Sequence, residues 1–551
     1  MELETYIQSI KHLPLKQVNL QIEQICGITD FFDDISDIHC AFTSTRRDNK
    51  DEYGDWQTNA VLANKIAQQI SESFKPQVIL EPTCGKGSFV LAALETFDTI
   101  DDVFAIEIYK PYIQSLKYDI LQRYLDGRLT KKIRFHLLHC NVFDVNWSDI
   151  KKQIGNKNLL VIGNPPWVTN SDLSKADSAN LPKKSNFKQV KGLAAITGKG
   201  NFDIAEYISY ELFKNFAFGN NHFALLLKNS VIKQICHSQN KMRLPVSGLR
   251  QYRIDAKKEF GASVEASLLT CETGPVSRIC DVYDFYSKEH ISQYGWADNK
   301  FVADLEAYQR TAKIDGVSPL EWWSGIKHDC QPVVELTKCA DGYRNKLGEL
   351  VDIEDTCIYP YVKSSDIKGI TPTELNRYVI VTQHRINDNT EQLKYSAPKT
   401  YEYLMRHRAY FEQRKSSIYK NRPPFSMFGI GDYTFKPYKI VVSSLYKEPR
   451  FTLFTPIEGK CIVPDDTCYQ IGFDKLEDAQ LVLQILSTML VADFIKSISF
   501  SDAKRTITKD LLMRINLIRA FKDKNMHDDE EHNGYQSIMS KSLFVEPLLF
   551  V

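Results

Sequence analysis

The 551-residue sequence predicts an α/β fold: a mostly parallel, twisted sheet with helices on both faces, followed by a second, mixed α+β domain. Three observations lead there. From about residue 75, strand-like apolar runs alternate with helical stretches, the rhythm of a helix-covered parallel sheet. Two of those runs end in unusual corners, "CGKG" and "NPPW". The chain is also too long for one ordinary core, and its rhythm is lost after roughly residue 310.

The elements follow in order. Residues 1 to 42 read as helical, with apolar residues three and four apart in "LKQVNLQIEQI". A polar break comes next, at "TSTRRDNKDEYGD". "PQVILEPTCGKGSF" is a strand and a glycine loop, and "VLAALETF" a helix. "DDVFAIEI" is the second strand, and "PYIQSLKYDILQRYL" the second helix. "KIRFHLLHCNVFD", "NLLVIGNPPW" and "HFALLLKNSVI" give strands three to five, and "EFGASVEASLLTCET" a further strand pair near the sheet edge. Short strands, prolines and aromatics then dominate to about 475, where one helix is expected over 476 to 498. The expected organisation is a helical extension at 1–50, an α/β domain at 51–310 and a second domain at 311–551.

Composition is that of a folded soluble protein, 43% apolar and 25% charged. Basic and acidic residues balance at 69 each, which excludes a uniformly basic nucleic-acid binder but leaves room for a local basic face. Twelve cysteines are scattered without a paired CxxC ladder, so no zinc-type metal site is expected. "ELETYIQSIKHLPL" lacks the basic start and apolar run of a signal peptide. No apolar run approaches the ~20 residues that cross a membrane. A cytoplasmic protein with reduced thiols and no membrane partner is expected.

"LEPTCGKGSF" puts Glu81 at a strand end, with Gly85 and Gly87 in the turn. Glycines allow a tight turn and close approach of backbone to ligand. The phosphate-loop spacing GxxxxGK[ST] is absent, and a carboxylate at the strand end would repel phosphate. A cationic or hydroxyl-rich ligand suits it instead. Glu107 ends the next strand, where a carboxylate can accept both hydroxyls of a ribose. Asn141 or Asp144, in "HCNVFD", stands at the third strand end, within reach of an adenine amino group. Three successive polar strand ends imply one nucleoside lying across them.

The fourth strand ends in "GNPPW". In the usual doubly wound order it lies beside the first, at the point where winding reverses and ligands bind. Proline fixes its own φ and keeps the preceding residue extended, so Asn164 and Pro165 are both held stiff by the prolines that follow them. The Asn164 side-chain oxygen and the Pro165 carbonyl then form two fixed acceptors, suited to an NH2 group. Trp167 offers a face on which a base stacks, worth ~1–3 kcal/mol, which helps offset extraction of that base from a duplex.

The order "YGDWQTNAVLANKI", "EPTCGKGSF", "AIEI", "HCNVFD", "GNPPW", "ALLLKNS", "DAKKEFGASVEASLL" resembles the adenine-N6 DNA methyltransferases that accompany restriction endonucleases. The resembling subgroup has its cofactor motifs first and its target-recognition domain C-terminal. The resemblance covers about residues 50 to 275 and implies a Rossmann-like, S-adenosylmethionine-dependent catalytic domain. It implies that Thr58, Glu81 and the Cys84–Gly87 loop (Gly85 included) surround the methionine part. Glu107 would take the ribose and Ile108 would pack on the cofactor adenine. Asn141, or alternatively Asp144, would meet that ring's edge. Asn164, Pro165, Pro166 and Trp167 would form the catalytic corner, and Phe260 would pack on the flipped base. The family often has proline where Asn59 stands, aspartate at the third motif, and tyrosine or phenylalanine where Trp167 stands. Direct transfer is implied. In cytosine-C5 enzymes the nucleophilic cysteine follows a proline, which neither Cys84 nor Cys140 does.

Residues 401 to 450 hold ten Lys or Arg and four Asp or Glu, a net of +6, interleaved with aromatics. Cations neutralise phosphates, and aromatics and Arg contact bases. Arg414, Lys415, Lys420 and Arg422 are the candidate DNA contacts, with Lys504 and Arg505 from "SDAKRTITKDLL" a second group; the acidic "HDDEEH" should stay off DNA. The partners implied are duplex DNA and a separate cognate endonuclease. The nearest rival expectation is cytosine-N4 DNA methylation, followed by amino-methylation of RNA or of a protein glutamine; the complete acceptor corner and cofactor motifs argue against a non-catalytic DNA-binding subunit with a relic cofactor fold, and the absence of a PD...ExK run argues against a fused nuclease. At the corner, Asn164 favours adenine over cytosine, whose enzymes more often begin it with serine.

Overall fold

The structure, a computed structural model, describes residues 2–34, 57–169, 203–261, 264–368, 375–500 and 505–527. The chain divides into two compact units, Met1–Phe301 and Val302–Val551. The sequence-based boundary near 310 therefore lies inside the second unit. The expected N-terminal extension is not separate either: helices Leu3–Ile10 and Leu15–Cys26 contribute to the core of the first unit. Lys117, on helix Lys110–Leu125, donates from Nζ to the carbonyls of Asp30 and Phe31 at 2.9 Å each, tying down the segment after them.

The first unit is built on a ten-stranded sheet. Its strands are β1 (Val78–Glu81), β2 (Asp102–Glu107), β3 (Arg134–His139), β4 (Leu159–Gly163), β5 (His222–Lys228), β6 (Val246–Arg253), β7 (Ala266–Thr273), β8 (Ile279–Asp284), β9 (His290–Ala297) and β10 (Lys300–Val302). Their spatial order is β10-β9-β8-β6-β7-β5-β4-β1-β2-β3. The five strands β3-β2-β1-β4-β5 are parallel throughout. β1, β2 and β4 are wholly buried, which is why they read as unbroken apolar runs. The chain lays down β1, β2 and β3 outward on one side, then returns to place β4 and β5 on the other. β1 and β4 are thus neighbours at the reversal, as expected.

Beyond β5 the expectation needs correction. "EFGASVEASLLTCET" is not a strand pair at the edge. Its first two residues, Glu259 and Phe260, complete the short helix Ala256–Phe260, capped by the Asp255 side chain and ended by Gly261 at φ +68°. Its second part is β7, an interior strand antiparallel to both β5 and β6.

The second unit is mixed, as expected. It holds a four-stranded sheet and a six-stranded sheet, largely antiparallel, around a core that includes Tyr361, Tyr403, Phe425 and Met427. The single helix expected over 476 to 498 is two, Leu476–Leu486 and Met489–Ile498, bent by 63°. Thr488 starts the second by accepting from Val491 N–H at 3.4 Å, which turns the backbone out of the first. Among the described residues no single helix is long and apolar enough to cross a membrane.

The amino end of β2 is clamped by charge. Asp102 is buried and receives Arg134 from β3 at 2.7 Å and Lys157 from the turn before β4. Burial opposes its charge, but these two cations outweigh burial and lower its pKa to about 2. A depressed carboxylate stabilises the fold above its unfolded pKa and loses that contribution as pH falls through the folded value. Asp102→Asn is therefore expected to cost about 1–2 kcal/mol at neutral pH, and to remove the part of acid destabilisation that falls between pH 3.8 and about 2. Urea unfolding across that range checks it.

Candidate active site

The carboxyl ends of β1 to β4 open into one cleft of about 1030 Å³, counted to its open mouth. Thr58, Glu81, Cys84, Gly85, Glu107, Ile108, Asn141, Asn164, Pro165 and Pro166 line it together. Parallel pairing places these strand ends side by side, so residues as far apart in sequence as Glu81 and Pro166 converge.

The glycine loop is held from both sides. Gly85 stands at φ +52° and donates its N–H to Glu107 Oε2 at 2.8 Å. A Cβ there would come within 2.6 Å of the Gln57 side chain, whose Oε1 accepts from Lys86 N–H. Gly87, at φ +77°, does not line the cleft; a Cβ on it would meet Leu116 at 2.4 Å, so it serves close packing of loop on helix. The other Glu107 oxygen accepts from Tyr109 N–H at 2.8 Å. Both oxygens thus already hold backbone donors, and a ligand hydroxyl would use the remaining lone pairs of an acceptor with about four sites.

Glu81 accepts from Val90 N–H at 3.0 Å, in the first turn of helix Ser88–Thr96, whose cap residue Gly87 has no side chain to offer. Burial pushes the Glu81 pKa well above the ordinary carboxylate range; the Val90 bond opposes this and the charge of Glu107 adds to it. A positive charge entering the cleft would offset the burial and the Glu107 charge that disfavour the ionised form of Glu81, so a cation is favoured beside these two carboxyl groups. Cys84 and Cys140 also line the cleft, and burial raises both thiol pKa values, with nearby carboxylates adding to it. Neither is an activated thiolate.

At the third strand end the structure separates the two candidates. Asn141 lines the cleft and caps a short turn by accepting from Phe143 N–H at 3.0 Å. Asp144 is not among the lining residues. At the fourth, Asn164 donates from Nδ2 to Thr58 Oγ1 at 3.4 Å, and the Thr58 carbonyl accepts from Ser88 Oγ at 2.7 Å. Thr58 therefore orients the acceptor amide as well as lining the cleft. Trp167 corrects the expectation of an open stacking face. It is only 5% exposed, its Nε1 donates to the Leu226 carbonyl at 3.3 Å, and its ring packs edge-on to Phe260 at 5.2 Å.

Sequence reasoning missed much of the lining. Val142 and Phe143 follow Asn141 directly, and apolar residues just past a polar strand end were the available signal. Ile204 and Ile208, one turn apart on helix Ile204–Phe216, gave none, because only the fold brings that helix to the cleft. Tyr109 and Tyr112 also line it, with the Lys86 ammonium 5.4 Å from the Tyr112 ring centre.

The basic candidates of the second unit divide. Arg414 is structural: its guanidinium donates to the carbonyls of Phe411, His328, Ser426 and Pro424 at 2.7–3.3 Å and stacks 3.7 Å over the Tyr419 ring. Burial lowers its pKa. Arg505 is tied to Asp466, through the backbone carbonyl at 2.9 Å and the carboxylate at 3.3 Å. Lys415, Lys420 and Arg422 are exposed, Arg422 with a bond to Asn387. Lys504, the "YGDW" part of the first motif and all of "HDDEEH" but His527 lie outside the described residues.

No family model matches the chain. It is 38% identical over 470 residues to the Type II methyltransferase M.NspV of Nostoc sp., a match covering 85% of this chain and 96% of that protein. Among solved structures it is similar in fold to the Type IIL restriction-modification enzyme MmeI in complex with DNA, at 11% identity and a TM-score of 0.50. That match covers 82% of this chain, which spans 63% of the MmeI chain.

The loop geometry gives a direct test. Gly85→Ala places a side chain in left-handed backbone, at a cost of about 1–2 kcal/mol, and displaces Gln57. Calorimetric affinity for S-adenosylmethionine should fall roughly tenfold, while the melting temperature of the ligand-free protein falls by only a few degrees.

Proposed function

The chain belongs to the type II methyltransferases, and on that premise we propose that it methylates adenine N6 of a flipped base in a short duplex DNA sequence, as the modification enzyme of a restriction–modification system. S-adenosylmethionine is the cofactor, and it supplies an electrophilic methyl group. The cleft suits it: buried Glu81 and Glu107 favour a cation, Glu107 retains acceptor capacity for ribose hydroxyls, and Ile108, Val142 and Phe143 offer apolar walls to an adenine. Asn141, which lines the cleft, is assigned to that ring's edge in preference to Asp144.

One observation carries the proposal. The Asn164–Pro165–Pro166 corner opens into the same cleft as the glycine loop and Glu107. An exocyclic amine is a poor nucleophile because its lone pair is delocalised into the ring. Acceptance of its two hydrogens by the Asn164 side-chain oxygen and the Pro165 carbonyl favours a more tetrahedral nitrogen with an available lone pair. Thr58 holds the amide orientation and Pro166 holds Pro165 extended, so the acceptors are preorganised. Positioning of amine against methyl then supplies much of the rate, without a covalent intermediate. Phe260 is assigned to the target base, with Trp167 buttressing it from behind. Lys415, Lys420 and Arg422 are assigned to DNA phosphates, and a separate endonuclease reading the same sequence is the expected partner.

Asn164→Ala should lower kcat by on the order of 10²–10³-fold and leave cofactor affinity unchanged. Modification-sensitive long-read sequencing of DNA from a methylation-deficient host should show N6-methyladenine at one recurrent motif, absent with the variant. N4-methylcytosine would transfer the assignment to cytosine, and no modified base would sink the DNA reading.

The basic candidates should also behave differently. Lys415→Ala with Lys420→Ala should weaken DNA binding evenly across sequences and reduce the salt slope by about 0.9 per lost phosphate contact. Arg414→Ala should instead cost about 2–3 kcal/mol of folding stability by leaving backbone carbonyls unpaired, as read by urea unfolding.

A further inference from the structure

The helix that brings Phe260 to Trp167 is five residues long, Ala256–Phe260. One turn of helix is not stable alone, so its position depends on what holds it. Asp255 Oδ1 accepts from Lys258 N–H at 3.0 Å and Gly261 ends the turn, but both act within the turn itself. Ala256 is buried in the core of the unit and Phe260 packs against that core; among the described residues, the side-chain hydrogen bonds from this helix to other elements are made by Glu259. Its Oε2 accepts from Asn59 Nδ2 at 3.0 Å, and its Oε1 accepts from the Tyr286 hydroxyl at 2.9 Å.

Asn59 is committed at both ends. Its Oδ1 caps helix Ala60–Ser71 by accepting from Leu62 N–H at 2.8 Å, and its Nδ2 reaches Glu259. The two residues before it have their own targets: Gln57 covers the glycine loop and Thr58 bonds Asn164. Three consecutive residues therefore touch the cofactor loop, the acceptor amide and the Phe260 helix. Proline at 59 would offer no side-chain donor to Glu259.

We propose that Asn59 is a positioning residue that fixes Phe260 for the target base through Glu259, making residues 57–59 the link between cofactor loop and base pocket. This rests on the assignment of Phe260 to the flipped base made above. The Asn59–Glu259 bond joins this one-turn helix to the start of helix Ala60–Ser71, adding a directional tie to the packing of Ala256 and Phe260. The Lys65 and Lys258 ammonium groups each lie 5.8 Å from the centre of the Tyr286 ring, whose hydroxyl donates to Glu259.

Asn59→Asp isolates the tie. Aspartate keeps the oxygen that caps the helix but replaces the donor with a carboxylate facing Glu259. The full chain is tested on a duplex carrying 2-aminopurine at the methylated position of its mapped site. Extrusion of that base is read from its fluorescence, cofactor affinity from calorimetry with S-adenosylhomocysteine, and DNA KM and kcat from turnover. The expected result is a roughly tenfold loss of extrusion with cofactor affinity and melting temperature unchanged, and recovery when Glu259→Gln is added. Extrusion that survives Asn59→Asp, a matching loss of cofactor affinity, or no recovery in the double variant overturns the tie. A wild-type protein that extrudes no base overturns the Phe260 assignment instead, and the tie's proposed purpose with it.

Discussion

The cleft depends on one pairing arrangement: β1 lies parallel to β2 on one side and to β4 on the other. Parallel pairing sends all three carboxyl ends to the same edge of the sheet. Because the chain builds outward from β1 in one direction and returns to build in the other, the loops after β1 and β4 diverge from adjacent strands. That divergence opens the crevice. The glycine loop and the Asn164 corner, some eighty residues apart in sequence, meet there for no other reason. Asp102, held by Arg134 and Lys157 at the opposite edge, draws together β2, β3 and the turn before β4.

Within the crevice, few polar groups wait idle for a ligand. Glu107 pins the glycine loop, Glu81 caps a helix, Asn141 caps a turn and Thr58 orients Asn164. Each has an internal hydrogen bond that fixes its direction, and the acceptor capacity left over is what a ligand meets. This is preorganisation in a concrete form: the orienting bonds are made on folding rather than on binding. It also explains why short, stiff residues dominate the site. Pro82, Pro165, Pro166, Gly85 and the short side chains of Thr58, Asn141 and Asn164 lose little freedom when they are fixed.

The second unit shows how charge alone misleads. Arg414 and Lys415 are adjacent and equally basic in sequence, yet they stand in opposite surroundings. The planar guanidinium of Arg414 satisfies four carbonyls in a partly buried turn and stacks on Tyr419, which an ammonium cannot do. Lys415 remains exposed. A basic, aromatic-rich stretch therefore contains both its scaffold and its candidate contact surface, interleaved residue by residue.

Much of this was legible in the chain. The parallel core follows from the strand–helix rhythm, the tight turn at Gly85 and Gly87 from the absence of a Cβ, and the stiffness of Asn164 and Pro165 from the prolines after them. These are local constraints, carried by the residues that obey them. The burial of Trp167, the structural role of Arg414, the facing of Asn141 but not Asp144 into the cleft and the arrival of Ile204 and Ile208 were not legible. Each depends on which surface a distant segment covers. So does the tie from Asn59 to Glu259, 200 residues away. Sequence determined which groups stand at the strand ends and what chemistry they can offer. Tertiary structure decided which of them face the cleft, because burial and hydrogen-bond partners are set by contacts between segments that no local pattern encodes.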